Sequence, residues 1–162
     1  MTKQRYEWVG NSFRKNRVRT NDTSALAIAA LVEQLGRQVQ NLCFTKELAP
    51  VQWSALRYFA KAGPAARTVS GLAAYTGVNA SSASRTIQLL LAKGLVRTET
   101  DLGDCRMRMV SLSQAGIDLL DRDPLAALAG ALHTLNENEQ AILRDLLEKV
   151  LFELFPKPFK GS

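Results

Sequence analysis

With 162 residues, 46% of them hydrophobic and 22% charged, the chain has the size and make-up of one soluble globular domain, or one compact unit with two lobes. Its formal charge of +6 is unevenly placed: residues 1–20 carry +5, 21–60 balance, 61–108 carry +4 and 109–162 carry −3. A basic middle beside an acidic end suits a protein with one face for a polyanion, although an ordinary solvated surface fits the same numbers. Two cysteines far apart, Cys43 and Cys105, make no disulfide framework and point to a reducing cytoplasm. The longest apolar run, Ala25 to Val32, is eight residues. It is well short of the roughly 20 that cross a bilayer. Glu33 and Gln34 follow it with no small-residue cleavage pattern, so it reads as helix rather than signal peptide.

Residues 1–21 form a basic arm with Trp8, Val9 and Phe13 as apolar anchors, flexible or ordered only by a partner. Asp22, Thr23 and Ser24 offer caps for a first helix. In it Ile28, Leu31, Val32, Leu35, Val39 and Leu42 recur at helical spacing. Pro50 suits a first helical position, and the second helix runs to about Ala62, before Gly63-Pro64; Trp53, Leu56 and Phe59 or Ala60 are expected to make its buried face. A third helix, about Val69 to Thr76, ends at Gly77, which tolerates the left-handed conformation a tight turn needs.

Asn79 caps a fourth helix, on which Ala83, Ile87, Leu90 and Leu91 share one face and Ser81, Ser82, Ser84, Arg85 and Gln88 lie off it. Gly94 ends that helix. Leu95 to Thr100 and Arg106 to Leu112 read as strands, with Asp101 to Asp104 as the tip of a hairpin. Ser113 caps a fifth helix that Pro124 should kink or split, and Asn136 with Glu139 makes a capping-box pattern for the last. There Ile142, Leu143, Leu146, Leu147, Val150, Leu151 and Leu154 form a stripe too wide for an isolated surface helix, so it needs a neighbour.

Helix, turn, helix and hairpin in that order form a winged helix-turn-helix. A helix entering the major groove must be thin on its groove side and carry donors that reach base edges. Ser81, Ser82 and Ser84 are short, and their hydroxyls suit phosphate oxygens. Arg85 can pair with guanine and Gln88 with adenine. Arg106, beyond the hairpin tip, is placed for an adjacent minor groove, with Asp104 on the same strand face to brace it. A plain three-helix lobe with a hairpin, or a winged helix that binds a protein instead of DNA, remains the alternative.

The chain resembles the MarR family (multiple antibiotic resistance-type regulators) along Leu48-Ala49-Pro50-Val51-Gln52-Trp53, Gly77 to Arg85, Lys93-Gly94-Leu95-Val96, Asp104-Cys105-Arg106 and Val110 to Gly116. The resemblance implies a mainly α fold of six helices with a small β-hairpin wing, forming a homodimer. It implies a repressor whose helix matching 80–93 enters the major groove, whose Arg106 enters the minor groove, and whose Asp104 braces the wing. The unsatisfied faces, including Ile28, Leu143, Leu147, Val150 and Leu154, would then be the dimer interface. Domain organisation follows: a basic arm at 1–21, a dimerisation helix at 22–47, a DNA-binding lobe at 48–112 and C-terminal dimerisation helices at 113–162. Two recognition helices about 34–36 Å apart would meet a pseudo-palindromic operator. The resemblance also implies a small effector, commonly an aromatic acid or its thioester, for which Leu35, Val39, Trp53 and Leu56 are candidate contacts or simply core.

Departures from the family pattern are specific. Cys105 stands where a basic residue is usual, Ala49 where a capping threonine is common, and Met107 and Met109 add bulk to the second strand. Cys105 between Asp104 and Arg106 is open to oxidation, giving a redox-sensing regulator as a further alternative; Cys43, in an apolar context, is expected to be inert. His133 is the only histidine, so no histidine-based metal site is expected; a partly buried or capping role is. No catalytic triad, phosphate loop or carboxylate pair stands out, and Asp118, Asp121 and Asp123 are expected to form a solvated face. The chain is expected to be no enzyme and to need no cofactor.

Overall fold

The computed structural model describes residues 24–100 and 108–155. The chain divides into two compact units, Met1–Gln38 and Val39–Ser162. Within the first, Ser24 starts helix α1 (Ala25–Leu42), accepting the Ala27 amide on its hydroxyl at 3.2 Å. The portion of α1 up to Gln38 buries no residue; Leu26, Ile28, Leu31, Val32 and Leu35 all stand exposed.

The second unit holds the winged helix. Helix α2 (Pro50–Lys61) begins with proline at its first position, where the missing N–H costs no hydrogen bond. Ala49 has no side chain to cap it, but Gln52 Oε1 accepts the Ala49 amide at 3.0 Å, so half of a reciprocal cap survives. Trp53, Leu56 and Phe59 face inward, and the indole N–H of Trp53 is satisfied by Thr45 Oγ1 at 3.3 Å. After a 3-10 turn at Pro64–Ala66, helix α3 (Val69–Thr76) is capped by Thr68, whose Oγ1 accepts the Gly71 amide at 3.0 Å.

Helix α4 (Ala80–Ala92) follows a turn in which Gly77 takes φ 69°, the left-handed region that a β-carbon disfavours. Strands β1 (Val96–Thr100) and β2 (Arg108–Leu112) pair antiparallel, with Val96 opposite Leu112 and Thr98 opposite Val110. Alternation sends Val96 and Val110 into the core. The Val110 amide also donates to Arg67 O at 2.8 Å, tying β2 to the segment before α3. The expected hairpin tip, with Asp104, Cys105 and Arg106, lies outside the described residues, as does the basic arm.

Ser113 caps helix α5 (Gln114–Leu120), accepting the Gly116 amide at 3.1 Å and donating its hydroxyl proton to Gly94 O at 2.6 Å. Of the kink or split expected at Pro124, the structure shows the split: proline has no N–H to donate and disfavours the α-region for its predecessor. Helix α6 (Ala126–Leu132) is therefore separate and α7 (Glu137–Leu154) is the last, giving seven α-helices among the described residues rather than six. Asn136 and Glu139 exchange both capping-box bonds, at 3.0 and 2.8 Å. Neither α6 nor α7 buries a residue, and Ile142, Leu146, Leu147, Val150, Leu151 and Leu154 of α7 are exposed.

Candidate nucleic-acid interface

The candidate reading surface is the outer face of α4. Its inner face, Ala83, Thr86, Ile87 and Leu90, packs into the core built by α2, α3 and the strands. Thr86 is buried but not orphaned, since its hydroxyl donates to Ser82 O at 3.0 Å. Asn79 Oδ1 accepts the Ser82 amide at 2.8 Å, fixing where the helix begins. Core contact on one side and a cap at the end hold the helix as a rigid rod, which is what a reading element requires.

Helical spacing brings Ser81, Ser84, Arg85 and Gln88 onto one side. With Ala80 and with Val69 from α3 they line an open depression of about 610 Å³. Ser81, Arg85 and Gln88 are exposed and Ser84 is half-buried, so the surface recedes at the serine and rises at the longer side chains. Ser82 is exposed as well but lies outside the depression; its backbone serves the cap. Arg85 makes no ion pair among the described residues, leaving its donors available. Val69 and Ala80 escaped the sequence reading: Val69 belongs to another helix, and only the α3–α4 crossing brings it alongside.

Other expected positions are distributed differently. Trp53 and Leu56 are buried in the core of the winged helix, with Val39 packed against that core, while exposed Leu35 belongs to the first unit. Leu143 is half-buried on α7, whereas Ile28, Leu147, Val150 and Leu154 are exposed. His133 is exposed at the C-terminal cap of α6.

Two expectations need correction. Asp123 is not part of a solvated acidic face: Arg57 of α2 donates to it from Nε at 2.6 Å and from a terminal nitrogen at 2.8 Å. Cys43 is buried, but its surroundings are not wholly apolar, since Arg57 also donates to its sulfur at 3.2 Å. Burial works against the charge of Asp123. Its bonds from Arg57 and the Leu125 amide, with the nearby charges of Arg57 and Lys61, outweigh that and hold its pKa below the ordinary carboxylate value. The partner in this bond was invisible in the sequence because 66 positions separate the two residues.

A capped helix with a polar outer face, set across a second helix and followed by an antiparallel hairpin, defines a winged helix-turn-helix protein. Residues 47–106 match the model of the MarR family. A protein of Pseudomonas aeruginosa described as a probable transcriptional regulator is 29% identical, with a TM-score of 0.60 over 76% of this chain and 96% of its own. The transcriptional regulator BldR of Sulfolobus solfataricus is 25% identical, with a TM-score of 0.61 over 76% of this chain and 89% of its own. The PcaV transcriptional regulator of Streptomyces coelicolor, solved with its natural ligand, shares the fold at 20% identity, with a TM-score of 0.61 over 82% and 96% of the two chains. No curated protein sequence matches the chain. Over residues 47–106 the chain is similar to the MarR family, whose members are transcription regulators and not enzymes. No helix among the described residues is long and apolar enough to cross a membrane.

Proposed function

We propose that the chain is a homodimeric repressor that occupies a pseudo-palindromic operator and leaves it when a small effector binds. The observation that carries this reading is the depression on α4, where Ser81, Ser84, Arg85 and Gln88 converge on a capped, core-anchored helix. The major groove is about 12 Å wide and admits one α-helix of about 10–12 Å diameter. Short serines let the backbone approach phosphates, while Arg85 and Gln88 reach guanine and adenine edges. Arg106, braced by Asp104, supplies the minor-groove contact, and the basic balance of residues 61–108 attracts the duplex.

Two-fold symmetry is supported by the apolar faces left open on α1 and α7. Contiguous exposure of this kind on a soluble protein marks an interaction surface. The effector is a small molecule, an aromatic acid or its thioester; it acts by favouring a spacing of recognition helices that the operator does not fit. PcaV, with its natural ligand bound, supports a ligand-responsive reading.

The test is selection of duplexes by the full chain from a random-sequence library, followed by competition and salt titration. A preferred duplex containing two inverted half-sites is the expected result. Arg85→Ala and Gln88→Ala should each lose roughly 10- to 100-fold of the preference for that duplex, as one base contact typically carries. Equal, weak binding to all duplexes would show a module that serves a protein partner instead.

A further inference from the structure

We propose that Arg57 is a positioning residue: its guanidinium clasps the turn between α5 and α6 and so fixes the direction in which the α6–α7 arm leaves the winged helix. The arm has little else to hold it. Neither of its helices buries a residue, so its direction is set at its root. That root is Asp123, followed by Pro124, and Arg57 reaches it from α2 with two parallel hydrogen bonds of 2.6 and 2.8 Å. A planar fork on a carboxylate constrains angle as well as distance, which a lysine could not do.

Burial separates this pair from the rest. The side chains of Arg57 and Asp123 are 16% and 18% exposed, whereas both members of every other ion pair among the described residues are more than half exposed. Solvent screens those pairs and leaves them near zero in net effect, while the clasp is sheltered. Asp123 Oδ1 also accepts the Leu125 amide at 2.8 Å, so the carboxylate that Arg57 holds is itself fastened to the first residues of the arm. On the other side, the bond from Arg57 to the Cys43 sulfur at 3.2 Å limits how the guanidinium can swing.

Leverage gives the clasp its consequence. At 1.5 Å per residue, α7 is about 27 Å long, so a change of about 10° at its base moves the far end by about 5 Å. If α7 joins two subunits, that displacement alters the separation of the recognition helices without any change in a DNA-contacting residue. This last step rests on the repressor reading; the clasp does not.

The decisive measurement is the distance between spin labels at Gln88→Cys on α4 and Glu148→Cys on α7, in full-length chain carrying Cys105→Ser and diluted with unlabelled chain. Cys43 stays in place because only 3% of it is exposed to a labelling reagent. The parent should give one narrow distance distribution. Arg57→Ala should broaden it about two-fold or more, with Arg57→Lys and Asp123→Asn in between. A folded Arg57→Ala protein with a distribution as narrow as the parent overturns the proposal. Should that variant fail to fold, parental narrowness in both Arg57→Lys and Asp123→Asn overturns it equally.

A second readout uses a duplex selected by the unaltered chain. Arg57→Ala should reduce the preference for the selected half-site spacing over one shifted by a base pair from about ten-fold to about two-fold, while affinity for a single half-site changes less than about two-fold. An equal fall in single half-site affinity would mean general damage to the lobe and count against positioning. Failure of the unaltered chain to select any duplex would sink the repressor reading, leaving the label distances to decide on the clasp.

Discussion

Gly116 lies so close to the carbonyl of Leu95 that a β-carbon there would overlap the oxygen, and the same carbonyl accepts the Ser113 amide at 3.0 Å. The first turn of α5 is thus pressed onto the segment joining α4 to β1, which sets the wing against the lobe. Gly116→Ala should destabilise the protein by roughly 1–3 kcal/mol, because the obstacle is backbone and cannot rotate away. Gly130→Ala in α6 is the control: beyond its own stretch of helix no described atom lies within 4 Å of where a β-carbon would sit, so the gain in helix propensity should add about 0.5–1 kcal/mol. Thermal unfolding of both variants decides it, and equal melting temperatures would remove the close approach from the account.

The start of α4 depends on Asn79. Removing its side chain in Asn79→Ala leaves the Ser82 amide without its 2.8 Å partner and should cost about 1 kcal/mol, recovered largely by Asn79→Ser. Because the first turn carries Ser81, the alanine variant should also bind a selected duplex more weakly than Asn79→Ser. Matching affinities for the two variants, measured by anisotropy, would detach the cap from the interface.

Local signals explain which parts of this arrangement were legible in the sequence. Gly77, Asn79, Ser113 and the Asn136–Glu139 pair each act within about four positions of themselves, so spacing alone located the helix starts and stops. Even the rescue of Ala49 by Gln52 is local. The polar face of α4 followed from the 3.6-residue period. What depends on tertiary approach did not follow: Val69 beside Ala80, Trp53 on Thr45, and above all Arg57 on Asp123. Three aspartates lie between positions 118 and 123, and composition gave no reason to choose the one that turns inward. Nor did periodicity say whether Pro124 would kink or divide its helix, because proline permits both.

The open apolar face of α7 makes a prediction about assembly. Leu147→Glu should yield monomers in analytical ultracentrifugation, since a carboxylate without a partner in an apolar interface costs roughly 3–5 kcal/mol, on the order of 100-fold or more in dimer affinity. Within the monomer the change should be nearly silent, because Leu147 is 42% exposed and contributes nothing to the core. Loss of helix content in the variant would mean that Leu147 supports the subunit itself; a surviving dimer would place the interface elsewhere.

The Arg57–Asp123 pair also predicts how stability responds to acid. The carboxyl of Asp123 is held below its ordinary value near 3.8, chiefly because hydrogen bonds and positive charge outweigh burial, so its contribution is complete above that value and is lost as pH falls through the lowered one. Arg57 is shifted the other way: burial lowers it, but the bonds to Asp123 and Cys43 prevail and raise it above the ordinary guanidinium value, so its contribution would fade only in strong alkali, beyond any useful titration. The pair therefore adds no pH dependence between about pH 5 and 9. Asp123→Asn should be less stable by roughly 3 kcal/mol at neutral pH, since it leaves a sheltered guanidinium without its counter-charge. On acidification below about pH 4 the parent should lose stability faster than the variant, and the gap should narrow as the carboxylate takes up its proton. Urea unfolding at a series of pH values reads this directly. A gap that stays constant down to about pH 2.5 would mean that the charge of Asp123 is not what Arg57 recognises.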